Sequence, residues 1–222
     1  MNKCLAKFPV EFDDYLSVYN RIVESEQKRH PSVKNVHVID GSEPSGDQEI
    51  IDHIGFAGYE VQFWNTSDTL AYPKANQSPN GGFVKVAKLP SDKKIWTFVF
   101  VRCDDCEGLI RYCTLLSVLL HEMGHVDDVE KARNLRFDKT VDLVAAEVYA
   151  NRYAFRRMVK EKLRFPLGLL MGSILKDSRE QPKDSISRIV GEVIVSSGEF
   201  RQLRDFVGDL VDVEFIAGES SI

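Results

Sequence analysis

A chain of 222 residues with 43% hydrophobic and 28% charged side chains can bury a sizeable core without disulfides or a metal to hold it together. Its net charge of -5 argues against a protein whose main task is gripping phosphate backbones, since that calls for a basic surface. Four cysteines (Cys4, Cys103, Cys106 and Cys113) are too few for a secreted disulfide scaffold, and no signal-like apolar run precedes the first acidic residues. The longest apolar stretch, near Phe165 to Leu175, is broken by Pro166, Gly168 and Gly172 and is too short to span a bilayer. The expectation is a cytoplasmic protein with no membrane partner and no direct nucleic-acid partner.

In chain order, residues 11–29 set Phe12, Tyr15, Leu16, Tyr19 and Val23 at helical spacing, which predicts an amphipathic helix ending near His30-Pro31. Four β-like runs follow, at 36–39, 54–64, 82–89 and 94–102, with turn-rich loops at 41–49 and 71–82. The run KIWTFVFVR is almost wholly apolar and predicts a central strand. From about residue 107 to 129 the chain reads as one long helix whose apolar side holds Leu109, Ile110, Cys113, Leu116, Leu120 and Met123. A second helix, capped by Asp138 or Thr140, is expected to run to about Leu163 and to be broken by Phe165-Pro166. Two or three more helices fill 166–217. Strands that are neighbours in sequence with no helix between them imply an α+β fold with a small antiparallel or mixed sheet. The predicted division is 1–163 for the sheet and the two long helices, and 164–222 for a helical C-terminal extension packed on it.

The first long helix carries His121-Glu122-Met123-Gly124-His125, an H-E-x-x-H motif. Residues four apart lie one turn apart on one helix face, so both imidazoles can reach a single ion. Zinc takes nitrogen ligands in a tetrahedral shell and, at catalytic sites, keeps one position open. Glu122 is one step round the helix, placed to act as a base on water rather than as a ligand. A third ligand is needed, and Glu147 is the candidate, 22 residues (147 − 125) after His125 on the second helix. Asp127, Asp128 and Glu130 are rivals that would have to fold back from the motif's own helix. Asn151 shares a face with Glu147 and is placed to accept a hydrogen bond from a ligand histidine's free ring N–H. Ala146, Ala150 and Ala154 would let the second helix approach the first closely.

H-E-x-G-H followed by E-x-x-A-N-x-x-A resembles the gluzincin metallopeptidases, specifically the ImmA/IrrE-type family, over about residues 107–158. The resemblance implies a zincin-like fold and Zn2+ as cofactor. By position it implies His121, His125 and Glu147 as metal ligands and Glu122 as catalytic base. It further implies hydrolysis of a peptide bond in a protein substrate, a DNA-binding repressor or similar regulator, in a bacterial or phage setting. No residue for oxyanion stabilisation is singled out: Tyr112, Tyr149, Tyr153, His53 and Tyr59 all remain open. The alternative is a non-catalytic binding or immunity module that retains the metal site, against which the intact Glu122 argues. Oligomeric state is not legible.

Two further features have plainer readings. Cys103-x-x-Cys106 reads first as reduced cysteines at a strand-to-helix turn, with a second zinc site or a redox pair as the sharper option. Arg152, Arg156, Arg157, Lys160, Lys162 and Arg164 read first as a solvated basic face suited to a helix C-terminus.

Overall fold

The computed structural model describes residues 12–39, 62–63, 80–88, 95–103, 106–131 and 140–208. Helix α1, Phe12–Arg29, buries Tyr15, Tyr19, Ile22 and Glu26 along one stripe. Leu16, which the spacing assigned to that stripe, is 46% exposed, because the stripe continues through Glu26 rather than back through Leu16. Lys28 and Arg29 close the last turn, where cations suit the helix dipole.

Four strands form one mixed sheet in the order β1-β4-β3-β2. Strand β1 (Val33–Ile39) runs parallel to β4 (Ile95–Cys103), and β3 (Asn80–Lys88) runs antiparallel to β4. Strand β2 is only Gln62–Phe63, paired to the end of β3. The rest of the run expected at 54–64, the loop at 41–49 and residues 71–79 lie outside the described residues. Strand β4 is central, as its composition predicts. Val99, Val101 and Cys103 enter the main core from one face, while Phe98 and Phe100 on the other face are also fully buried. Burial on both faces is what removes the polar alternation from its sequence. Asn80 and Gly81, expected in a loop, are instead strand residues paired with Cys103 and Arg102, while Gly82, where the expected loop and strand met, pairs with Val101.

Helix α2, Gly108–Glu130, is the hub of the fold. From Leu115 onward it is buried nearly all round, at Leu115, Leu116, Leu119, Leu120, Met123 and Val126 as well as at polar positions. A one-sided apolar face is therefore too simple a reading; the sheet, α1 and the later helices surround it. Helix α3 is Thr140–Lys160. It stops before the predicted break. Lys162 takes a left-handed φ of 59°, and the amides of Leu163 and Lys162 bond back to the carbonyls of Met158 and Val159. That is the Schellman pattern, with lysine where glycine is usual. Pro166 then sits in the first turn of α4 (Arg164–Glu180), where a missing amide hydrogen costs nothing. Helices α5 (Ile186–Val195) and α6 (Gly198–Val207) are each N-capped by serine: Ser185 accepts from the Arg188 amide and Ser197 from the Phe200 amide.

One continuous cluster of buried side chains runs from Val84 and Val99 through Leu116, Met123, Phe155 and Met158 to Leu167, Met171, Ile194 and Phe200. The fold is α+β, largely helical. Among the described residues, no helix is long and apolar enough to cross a membrane. Most of the basic run stays solvent-facing, as read from the sequence: Arg156, Lys160, Lys162 and Arg164 are exposed, and Arg152 and Arg156 pair at the surface with Glu199 on α6. Arg157 departs from that reading, being buried and paired with Glu26 and Glu161.

Candidate metal centre

Helices α2 and α3 touch most closely at the motif itself. A Cβ built on Gly124 would lie 2.6 Å from the Ala150 Cα and 2.9 Å from its carbonyl oxygen, so only glycine lets the two backbones come this near. Ala146, Ala150 and Ala154 are all buried in the contact. The close approach brings Glu147 to the paired histidines. His121 Nε2 lies 3.1 Å from Glu147 Oε2, and His125 Nε2 lies 3.4 Å from Glu147 Oε1.

These spacings suit a shared cation. Ligand atoms at about 2.0–2.1 Å from a tetrahedral ion lie about 3.3–3.4 Å from one another. Among the described residues, His121, His125 and Glu147 are the one set of three or more His, Cys, Asp or Glu side chains whose ligand atoms converge, all within 4.8 Å of each other. Two imidazoles and one carboxylate, with no fourth protein donor among the described residues, match the donor chemistry of a catalytic zinc site rather than a closed structural one. The rivals Asp127, Asp128 and Glu130 do not join the cluster.

The electrostatics follow from this crowding. Burial alone would lower the His121 pKa, but the hydrogen bond and charge of Glu147, with the charge of Glu122, outweigh it and raise the value to about 9. Burial alone would raise Glu147, but the charge of His125 and hydrogen bonds from both histidines hold it well below the usual carboxylate range. Glu122 is buried, near enough to His121 for its charge to be felt there, and packed against Gly82 of β3. Asn151 donates its amide to the Glu147 carbonyl at 2.8 Å. Its side chain also hydrogen-bonds His121, which leaves its oxygen as the acceptor. The Nδ1 of His125 is buried without a hydrogen-bond partner.

The tyrosines weighed as oxyanion donors are placed elsewhere. The Tyr149 hydroxyl donates to Asp127 Oδ2, which Lys131 also reaches at 2.6 Å. The Tyr153 hydroxyl donates to Glu26 Oε2 at 2.5 Å and contacts His30 Nε2 at 2.7 Å. Tyr112 lies nine residues (121 − 112) before His121 and packs towards Tyr15, Cys113 and Phe165. His53 and Tyr59 are outside the described residues.

A buried polar chain went unread in the sequence. Arg157 bonds Glu26 at 2.6 Å, Glu26 bonds Tyr153, Tyr153 contacts His30, and His30 Nδ1 meets Glu130 Oε2 at 2.7 Å. It ties α1 to α2 and α3. Its only sequence signal was the i,i+4 pair Glu26 and His30 at the end of an otherwise apolar stripe. No family model, no curated protein and no solved structure matches the chain.

Proposed function

We propose that the chain is a zinc-dependent peptidase of zincin type, with His121, His125 and Glu147 as ligands and Glu122 as the base. The observation that carries this reading is the convergence of two Nε2 atoms and one carboxylate at tetrahedral spacing, with a buried glutamate beside them. Zinc at these donors would supply a Lewis acid that polarises a peptide carbonyl and makes water acidic near neutral pH.

The chain's own groups would do the rest. Glu122 takes a proton from water and returns it to the leaving amine nitrogen. Its burial keeps the carboxylate in a low-dielectric setting, where a positioned charge acts strongly. Asn151 fixes the ring orientation of His121 through its hydrogen bond. The side chains of His121 and Glu147 keep 19% and 33% of their surface exposed, so the ligand cluster is not sealed from solvent.

The likeness of H-E-x-G-H and E-x-x-A-N to ImmA/IrrE-type enzymes supports a protein substrate, a DNA-binding repressor or another regulator, met in the cytoplasm. The test is metal analysis of the purified protein with two variants. Glu122→Gln keeps one zinc per chain and loses proteolysis of a partner, while Glu147→Ala loses the zinc. A Glu122→Gln protein that still cleaves ends the catalytic assignment. A wild-type protein that holds zinc and cleaves no partner leaves a binding module in its place.

A further inference from the structure

We infer that Cys103 and Cys106 form a reversible disulfide site, oxidised by a low-molecular-weight disulfide such as glutathione disulfide. The site is independent of the metal centre and of the peptidase reading. Cys103 is the last residue of β4, and Cys106 stands two residues before α2 begins at Gly108. Both are free thiols. The backbone N–H and the side chain of Cys106 both hydrogen-bond the Cys103 sulfur, which sets the two thiols against each other. The Thr114 hydroxyl adds a third hydrogen bond to the same sulfur and holds it in place.

The surroundings separate this pair from other cysteine chemistry. A structural zinc site needs four protein ligands. Among the described residues no His, Cys, Asp or Glu joins the pair to make even three converging donors. Cys113, seven residues on (113 − 106), is fully buried in a separate cluster with Tyr15 and Phe165 and does not join the pair.

The two thiols also differ in access, which sets their order of reaction. Cys103 is fully buried, and burial with the nearby Cys106 pushes its thiol up to about 12, so it does not attack first. Cys106 is only partly buried and meets the oxidant. Its thiolate attacks one sulfur of glutathione disulfide and displaces a glutathione thiolate, leaving a mixed disulfide. The Cys103 sulfur then attacks the Cys106 sulfur, its proton passing to the second departing glutathione. Two protein thiols are oxidised, one small disulfide is reduced to two thiols, and both protons end on glutathione. The new bond would lock the end of the central strand to the start of the helix that carries His121 and Glu122.

The test uses the full-length Cys4→Ser protein, which removes a cysteine outside the described residues, incubated folded with glutathione disulfide. Trypsin releases residues 103–111, CDDCEGLIR, with both thiols in one peptide. The expected product is that peptide lighter by two hydrogens, restored by dithiothreitol, with Cys113 unmodified. Cys103→Ser is expected to trap glutathione on Cys106, and Cys106→Ser to leave Cys103 unmodified. The inference is overturned if the 103–111 peptide keeps both thiols free, or if Cys113 is modified as fast. The peptide mass from the parent protein decides the matter even where a serine variant fails to fold.

Discussion

A Cβ added at Gly82 would lie 2.7 Å from Glu122 Cγ, from Val118 Cγ1 and from the Phe100 carbonyl oxygen. One of those atoms is backbone and another is the end of a short, stiff side chain, so the strain falls partly on Glu122. Overpacking of this kind costs about 1–3 kcal/mol. Gly82→Ala is therefore expected to lower stability to denaturant by about that amount while zinc stoichiometry stays unchanged, because the three atoms nearest the added Cβ belong to Glu122, Phe100 and Val118 rather than to a proposed ligand. A variant as stable as the parent would mean that β3 moves aside freely and does not position Glu122. The sequence placed Gly82 where a turn-rich loop meets a β-like run and gave no sign of this role, which exists only once register sets it opposite Val101 and against α2. The convergence of His121, His125 and Glu147 was legible for the opposite reason. His121 and His125 are related by one helical turn, and Glu147 and Asn151 by another, so each pair is fixed by local geometry alone. The same wheel would have turned Tyr149 away, since two residues past Glu147 is a rotation of about 200°.

Elements are joined here by ionic pairs as well as by packing. Glu161, just past the end of α3, lies 2.8 Å from Arg21 of α1 and 3.2 Å from Arg157. Partial burial alone would raise the Glu161 pKa, but the Arg21 hydrogen bond and the Arg157 charge outweigh it and lower the value below 4.5. A carboxyl depressed on folding stabilises the fold above its unfolded pKa, and that stability is lost as pH falls through the folded value. The difference in melting temperature between the parent and Glu161→Gln should therefore be full above about pH 4.5 and shrink as acid is added below it. A difference independent of pH across that range would show that Glu161 acts through packing alone. Helix ends were the part of the elements least legible in sequence. Lysine at position 162 gives no cue to a left-handed residue, whereas Phe165-Pro166 advertised a break that Pro166 accommodates in the first turn of α4. The extents of α1, β4 and α2 were readable because apolar spacing persists through them.

At the scale of the whole molecule, the question is whether the proposed metal would make the fold or settle into it. Its ligands come from α2 and α3, and these helices already share Met123, Val126, Phe155 and Met158 in the buried cluster. The same cluster continues through α4, α5 and α6, so the packing that places Glu147 beside the histidines does not depend on an ion. Binding to the folded state alone then adds RT ln(1 + [L]/Kd), about 4 kcal/mol when zinc is a thousandfold above its Kd. The chelated chain is expected to keep its far-ultraviolet helical signal at room temperature and to melt at a lower temperature than the zinc-loaded chain. Glu147→Ala should melt at one temperature with or without zinc. Loss of the helical signal on chelation alone would mean that the ion organises α2 and α3, as in small zinc domains that are unfolded without metal. The core described here would then be too weak to hold the site in advance, and the spacing of His121, His125 and Glu147 would be a consequence of binding rather than its cause.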